Sequence, residues 1–454
     1  MAARAPGVSE PVTFAQALRF WWKLGWISFG GPTGQIAVMH TEIVERRRWI
    51  DEPRFLHALN YCMLLPGPEA QQLATYIGWM LHGTRGALAA GILFVLPSAF
   101  LLWGLSWAYA AHGNLPWMAA IFAGLKPAVV GIVAHAVLRM GGRALGGPVQ
   151  WAIAAAAFAA LYFARAPFPV VIAGAAVVGW VGQRLAPRHF ERQGAHGSLE
   201  PGGGPGGEPG GGGPGQGPAS KVALRATGGW KRAARVTIVC LLLWWLPVAA
   251  LALAFGPRST FAVQGVFFSQ AALVTFGGAY SVLPYVASAS VERFGWLSAG
   301  SMLDGLGLAE TTPGPLIMVV QFVGFLGGWN HPGGLEPWQG GLLGACITTW
   351  VTFVPCFLWI LLGAPHMEAL RERRGLSAAL SSITAAVVGV VLHLALWFAL
   401  QALFPGAKPS WEALDPFAAV LAVGSFLALA RTRLGVPWIV VGGGLLGLGR
   451  LLWA

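Results

Sequence analysis

Hydrophobic segments separated by short Gly and Pro punctuation dominate the chain, and their lengths divide them into two kinds. The first half contains eight such segments, at residues 14–31, 33–45, 53–65, 68–82, 87–111, 116–140, 148–163 and 166–185. At about 1.5 Å per residue, residues 87–111 reach ~37 Å as a helix, enough to cross a hydrocarbon core of ~30 Å with some tilt. Residues 33–45, 53–65 and 68–82 reach only about 20 Å each. We therefore predict full membrane spans mixed with short segments that enter the membrane and turn back.

The composition agrees with this pattern and excludes a soluble enzyme. Of the 454 residues, 56% are hydrophobic and only 10% are charged, whereas a soluble domain carries about 25% charged residues. The net charge of +12 fits basic cytoplasmic loops better than a nucleic-acid partner. The sequence shows no metal-ligand spacing, no nucleophile with a base nearby and no phosphate loop. We therefore predict neither an enzyme nor a cofactor.

A break in composition separates two halves. Residues 186–229 contain Pro-Gly-Gly repeats without apolar periodicity, which is typical of a flexible linker. Basic residues flank this linker and no signal-peptide core precedes the first segment, so we place both the linker and the N-terminus in the cytoplasm. The predicted parts are an N-terminal repeat at 1–185, the linker at 186–235, one connecting membrane helix at 236–256 and a C-terminal repeat at 257–454.

The second half repeats motifs of the first at two constant offsets. The pairs are Ser28-Phe-Gly-Gly31 with Thr275-Phe-Gly-Gly278 and Pro66-Gly-Pro68 with Pro313-Gly-Pro315, at 247 residues, and Ala128-Val-Val-Gly131 with Ala386-Val-Val-Gly389, at 258 residues. Several motifs that share two offsets indicate an internal duplication.

Loop charges indicate that the two copies face opposite sides of the membrane. The loop at 111–116 contains no Lys, Arg, Asp or Glu, whereas the equivalent loop of the second copy contains three arginines at 371–374. At the next pair of equivalent loops the positive charge lies in the other copy, because the loop of the first copy contains Arg139 and Arg143. The positive-inside rule then places the 111–116 loop and the C-terminus outside the cytoplasm. Inverted repeats are typical of secondary transporters whose site lies near the membrane midplane.

The Gly/Pro motifs mark the points where the short segments turn around. The free N–H groups of a helix N-terminus carry a partial charge of roughly +0.5, so four such termini sum to about +2 and suit a divalent oxyanion. The alternative is that these glycines and polar side chains serve helix packing and interhelical hydrogen bonds. The residues that we expect at the substrate site are Gly30, Gly31, Thr33, Gly67, Glu69, Gln71, Gln72, Lys126, Gly277, Gly278, Tyr280, Ser281, Thr312, Gly314 and Gln321.

Few charged residues lie within the apolar segments, and ionisable groups at such depth indicate function. Glu310, just before a turn, is the expected proton-coupling carboxylate, with a purely structural role as the alternative. Glu69 follows Pro68 directly, so a helix cap is its alternative role. We expect Asp304 at the membrane interface. Lys126 either contacts the anion or neutralises Glu69 or Glu310, and the sequence does not decide between these roles.

The motif set resembles that of the chromate ion transporter family. The residues that carry the resemblance are Ser28-Phe-Gly-Gly-Pro32, Leu65-Pro-Gly-Pro-Glu-Ala-Gln-Gln72, Leu93-Phe-Val-Leu-Pro-Ser98, Thr275-Phe-Gly-Gly-Ala-Tyr-Ser-Val-Leu-Pro284 and Ala309-Glu-Thr-Thr-Pro-Gly-Pro315. The resemblance covers both copies and implies a long-chain, two-domain member. The long Gly-rich linker is the one departure, and it concerns tethering and not chemistry.

The resemblance implies a fold and a function. The fold is an all-α polytopic membrane protein of two inverted repeats with re-entrant or broken helices. The function is export of chromate, or of a similar oxyanion such as sulfate, across the bacterial inner membrane, driven by the proton motive force. A passive oxyanion channel of the same architecture is the alternative. The expected partners are the oxyanion, protons and the lipid bilayer, with a homodimer as one alternative for assembly.

Reporter fusions test the predicted inversion. A reporter fused within 111–116 and one fused within 366–375 should report opposite sides of the membrane, because the positive charge of the second loop keeps it in the cytoplasm. A phosphatase that is active only outside and a fluorescent protein that folds only inside measure this, and a fusion within the linker serves as the cytoplasmic control. The same side for both loops would contradict the inversion.

Overall fold

The computed structural model describes residues 12–29, 31–113, 115–187, 230–363, 374–404, 410–432 and 434–453. Within these ranges the chain forms sixteen α-helices and no strand. Seven of the helices are long and apolar enough to cross a membrane. The predicted all-α polytopic fold is therefore confirmed.

Seven helices form the first half. They are α1 Phe14–Ile27, α2 Gly31–His40, α3 Glu52–Cys62, α4 Glu69–His112, α5 Pro116–Ala144, α6 Pro148–Tyr162 and α7 Phe168–Leu185. The two segments predicted at 68–82 and 87–111 form two helical arms of α4, which non-helical backbone at His82 and Gly83 separates. The arms fold back on each other, because an added Cβ at Gly91 would be 2.5 Å from Thr75 Oγ1, whereas a continuous helix would hold these residues about 24 Å apart. A positive φ of 63° at Gly83 allows this tight reversal.

Nine helices follow the linker. They are α8 Trp230–Phe255, α9 Thr260–Leu273, α10 Leu283–Ser288, α11 Ala299–Thr311, α12 Val319–Asn330, α13 Pro337–Gly363, α14 Arg374–Leu403, α15 Pro416–Arg431 and α16 Val436–Trp453. Residues 230–235, predicted as the end of the linker, are helical. The predicted linker residues 188–229 and Gly30 lie outside the described residues.

Equivalent positions in the two halves form the same local structure. The side chain of Asp51 caps α3, and Ser298, 247 residues later, caps α11. A turn of π-helix ends the preceding helical segment in both halves, at Thr41–Arg46 and at Ala289–Arg293. The repeat in sequence is therefore also a repeat in local structure.

The two halves exchange helices. The first half's α5 packs against α15 and α16, while the second half's α14 packs against α6 and α7. Gly131 on α5 lies so close to Ala422 that an added Cβ would be 2.6 Å from the Ala422 carbonyl oxygen. Its counterpart Gly389 on α14 packs in the same way against Ala154, because an added Cβ there would overlap the carbonyl oxygen of Ala154. Small residues allow this backbone approach, and reciprocal contacts between equivalent residues indicate a two-fold relation.

Alanine at Gly389 tests this packing. Gly389→Ala should reduce stability by about 1–3 kcal/mol, because the added methyl group overpacks a helix contact. Gly442→Ala on α16 is the matched control, since a Cβ there meets no atom within 4 Å. Thermal unfolding of the purified proteins in detergent measures both effects. Equal melting temperatures for the two variants would contradict the proposed contact.

Candidate functional site

Four turns of the chain, two from each half, meet at one place. In the first half a Phe-Gly-Gly segment follows α1, and a Pro-Gly-Pro turn lies between α3 and α4. In the second half a Phe-Gly-Gly segment follows α9, and a Pro-Gly-Pro turn lies between α11 and α12. The amide of Gly67 donates a hydrogen bond to the carbonyl oxygen of Thr275 at 2.7 Å. The amide of Gly314 donates to the carbonyl oxygen of Ser28, also at 2.7 Å. Each Pro-Gly-Pro turn is therefore bonded to the Phe-Gly-Gly segment of the other half.

Both Pro-Gly-Pro turns require glycine at their centre. The backbone φ is +122° at Gly67 and +103° at Gly314, a region in which other residues are strained. Space is also short, because a Cβ at Gly67 would be 2.8 Å from Cys356 Sγ and one at Gly314 would be 2.5 Å from Ser98 Cβ. Ser98 and Cys356 are themselves equivalent, 258 residues apart, so the two turns have the same surroundings.

A small cavity of about 10 Å³ lies between the four turns. It is lined by Pro32, Gln35, Pro68, Glu69, Ala70, Ala279, Pro315, Leu316 and Ile317. The lining includes the first residues of α4, whose N–H groups have no acceptor within the helix. The volume is about that required by one water molecule. A tetrahedral oxyanion is larger than water, so the cavity in this arrangement does not admit one.

Glu69 is an acidic side chain at this cavity with no ionic partner. Its side chain is buried, and among the described residues no hydrogen bond or ion pair reaches its carboxylate. It does not cap α4, because Pro68 occupies the N-cap and Glu69 is the first helical residue. The predicted role as a helix cap is therefore wrong, and the carboxylate remains free to interact with a ligand or a proton.

Glu310 belongs to a polar cluster beside the turns. The hydroxyl of Tyr280 donates a short hydrogen bond to Glu310 Oε1. Arg139 donates from Nη2 to Thr33 Oγ1 at 2.8 Å and also interacts electrostatically with Glu310. Thr33 and Tyr280 occupy equivalent positions in the two halves. The cluster therefore joins α2, α5, α11 and the turn before α10.

Sequence reasoning missed Arg139 as a site residue. The predicted segment ended at residue 140, so Arg139 was assigned to a cytoplasmic loop. The helix α5 continues to Ala144, and Arg139 therefore lies more than one turn inside it. The helical hydrophobic pattern alone did not show this, because the last helical residues are Gly-Gly-Arg-Ala, and two glycines and an arginine indicate the start of a loop.

Lys126 and Asp304 form a separate ion pair. The ammonium nitrogen of Lys126 lies 3.4 Å from Asp304 Oδ2, and the hydroxyl of Tyr109 donates to the same oxygen at 2.9 Å. Asp304 is only 3% exposed, whereas the Lys126 side chain is 33% exposed. The interfacial position of Asp304 stays a prediction. The expectation that Lys126 neutralises Glu69 or Glu310 is wrong, because its ionic partner is Asp304.

The other predicted polar residues mostly hold the turns or their own helices. Gln72 donates to the carbonyl oxygen of Pro66 at 2.7 Å, and Ser281 donates to that of Gly278 at 2.7 Å. Gln321 donates to the carbonyl oxygen of Ala99 at 2.8 Å, which is an interhelical bond. Gln71 and Thr312 bond to Thr75 and to Ala309 within their own helices. Interhelical hydrogen bonding was the alternative role for such residues, and the bond of Gln321 to Ala99 realises it.

Two serine hydroxyls next to the Gly314 turn have no partner in the part of the chain that the structure describes. Ser28 and Ser98 are both fully buried, and neither Oγ atom forms a hydrogen bond with a described residue. Gln35 donates a short hydrogen bond to the carbonyl oxygen of Gly314 from the same side. Unpaired buried donors are costly, so these hydroxyls are available for a ligand. Within the described ranges, no three His, Cys, Asp or Glu side chains are arranged to hold a metal ion.

Both halves of the chain match a known protein family. The family model described as chromate transporter matches residues 15–180 and 262–448. A chromate transport protein of Cupriavidus metallidurans is 27% identical over 448 residues, which cover 98% of this chain and 96% of the relative. A chromate transport protein of Pseudomonas aeruginosa is 30% identical over 447 residues, covering 97% and 92%. A probable chromate transport protein of Synechococcus elongatus is 26% identical over 394 residues, covering 85% and 84%. No solved structure matches the chain.

Substitution of Gly314 tests whether the turns bind the anion. Gly314→Ala should abolish oxyanion binding, because the methyl group strains the turn and collides with Ser98. Gly256→Ala is the matched control, since Gly256 has a similar φ of +92° and no atom within 4 Å of an added Cβ. Calorimetric titration of the purified proteins with chromate and with sulfate measures binding. Unchanged affinity in Gly314→Ala would contradict the turn site.

Proposed function

This chain belongs to the chromate transporter family, and from that premise we propose that it exports chromate, or a similar tetrahedral oxyanion such as sulfate, across the bacterial inner membrane. The coarser statement, that it is a membrane transporter and not an enzyme, follows from the family. The observation that carries the finer proposal is the reciprocal bonding of Gly67 and Gly314 to the opposite half. It brings four turns to one cavity, which is where we place the anion site.

Hydrogen-bond donors at this cavity suit an oxyanion. The N-terminus of α4 begins at the cavity, and its free N–H groups favour negative charge. The hydroxyls of Ser28 and Ser98 add neutral donors beside the Gly314 turn, where no protein acceptor occupies them. Non-helical backbone at membrane depth is tolerated where it lines a cavity. We infer that opening of the two halves enlarges this cavity until the anion fits.

Carboxylates at the site supply the coupling to protons. A charged Glu69 and a bound dianion repel each other in a medium of low dielectric. The dianion therefore binds well only if Glu69 carries a proton. The protonated carboxyl group then becomes a donor to the oxyanion. Glu310 interacts with Tyr280 and Arg139, which compensate its charge when the proton leaves. We propose Glu310 as the proton-coupling residue and Glu69 as the residue that senses the anion.

The membrane potential favours export over uptake. Moving one elementary charge across 100 mV is worth about 2.3 kcal/mol, so a dianion that leaves a negative cell interior gains roughly twice that amount. Protons that enter in exchange add the pH gradient to this driving force. We further propose that the repeats at 1–185 and 257–454 insert with opposite orientation, with the linker and the N-terminus in the cytoplasm and the C-terminus outside.

A passive oxyanion channel is the alternative function. The closed cavity between the turns argues for a transporter, because its volume of about 10 Å³ admits no anion without rearrangement. A channel would carry current in proportion to the anion gradient and would ignore a pH gradient. Uptake into inverted vesicles, with chromate and sulfate in competition and with or without a pH gradient, distinguishes the two functions.

Glu310→Gln tests the coupling. The variant should lose transport driven by a pH gradient but should keep exchange of labelled for unlabelled chromate, because glutamine preserves the shape of the site and cannot carry the proton. Glu292→Gln, at an exposed residue in the π-helical turn Ala289–Arg293 that follows α10, is the control and should behave as the wild type. Accumulation by Glu310→Gln at the wild-type ratio would exclude the coupling role of Glu310.

A further inference from the structure

A second polar site lies apart from the four-turn cavity, where the end of α4 meets the start of α11. A cavity of about 210 Å³ opens there, and its polar lining includes Tyr109, Ser301 and Asn330. Since one water molecule in the liquid takes about 30 Å³, this space holds several waters. None of the residues that line the four-turn cavity lines this one.

Tyr109 connects this cavity to a buried carboxylate. Tyr109 lines the cavity, and its hydroxyl donates to Asp304 Oδ2 at 2.9 Å. Lys126 contacts the same oxygen at 3.4 Å. The other oxygen, Oδ1, is buried and has no partner. Among the described residues, Lys126 from α5 and Tyr109 from α4 are the titratable groups that contact Asp304.

Asp304 is the buried member of this ion pair, because the Lys126 side chain is 33% exposed. Burial of a charged carboxylate costs desolvation that the attraction of one ammonium group often fails to offset, and the unpaired Oδ1 adds a further cost. Protonation of Asp304 removes its negative charge and so reduces both the desolvation cost and the cost of the unpaired Oδ1. The pair is therefore poised between a charged and a neutral carboxyl group, and the hydroxyl of Tyr109 is the link to water.

The position of the pair on α11 relates it to Glu310. Asp304 and Glu310 are six residues apart, about 9 Å along the helix. Asp304 lies towards the end of α4, whose following loop at 111–116 is predicted outside the cytoplasm. Glu310 lies towards Arg139, near the end of α5 that is predicted to be cytoplasmic. One helix therefore carries two carboxylates that point to opposite sides of the membrane.

We propose that the 210 Å³ cavity, Tyr109 and Asp304 form the proton-entry site of the transporter. A hydronium ion in the cavity gives its proton to the Tyr109 oxygen and leaves as water, while the Tyr109 hydroxyl passes its own proton to Asp304 Oδ2. Asp304 becomes neutral, Lys126 loses its ionic partner, and α11 is released from α5. Glu310 then serves the cytoplasmic release. This proposal rests on the proton-coupled function proposed above.

Tyr109→Phe tests the relay with the least change to the fold. The variant lacks only the hydroxyl, so transport driven by a pH gradient should slow by about tenfold or more, while chromate exchange should be unchanged. Tyr61→Phe is the matched control, because the Tyr61 hydroxyl donates instead to the carbonyl oxygen of Trp359 at 3.2 Å. A wild-type rate of proton-driven transport in Tyr109→Phe, or an equal loss of exchange, would overturn the proposal.

Cysteine labelling tests the access route independently of transport. Ser301→Cys in the full-length protein should react with a membrane-impermeant thiol reagent added from outside, measured against the background of the four native cysteines. Ser269→Cys, at a buried position, should not react. An unreactive Ser301→Cys, or one that reacts only from the cytoplasmic side, would overturn the entry route. Failure of the proposed function gives a different result from failure of the entry route, because the wild type itself would then show no chromate exchange or no response to a pH gradient.

Discussion

Two backbone hydrogen bonds hold the rest of this structure in place, from Gly67 to Thr275 and from Gly314 to Ser28. A turn at membrane depth exposes backbone groups that lipid cannot satisfy, so each must find a partner within the protein. Here each half supplies the acceptor for the turn of the other half. Neither set of turns is satisfied alone, and the two halves must therefore fold together.

This constraint explains why the scaffold is symmetric while its chemistry is not. The exchange of α5 and α14 between the halves repeats the same contacts twice. The ionisable residues, however, differ at equivalent positions: Leu316 is the counterpart of Glu69, and Met63 is the counterpart of Glu310. Each half thus contributes one carboxylate near the turns, and a symmetric framework holds two acids in different surroundings. In the proposed mechanism, one of these acids responds to the anion while the other exchanges protons.

Much of the fold was predictable, because apolar length and Gly/Pro punctuation are local properties. The segments at 14–31, 53–65 and 116–140 correspond to α1, α3 and α5, and the segments at 68–82 and 87–111 correspond to the two antiparallel arms of α4. The ionic pairs were less predictable. Lys126 was expected near Glu69 or Glu310, yet it pairs with Asp304. Arg139 was missed because two glycines and Arg143 precede the end of α5 at Ala144 and indicate a loop there.

The sequence by itself determined the class of protein, the duplication and the identity of the four turns, because hydropathy, repeat offsets and glycine motifs can be counted along the chain. Only the tertiary structure decided which side chain faces which. Lys126 and Asp304 are 178 residues apart, and their contact depends on how α4, α5 and α11 pack. The tertiary structure also decided that the turns enclose a water-sized cavity. Its volume depends on the hydrogen bonds between the two halves, which neither half forms alone.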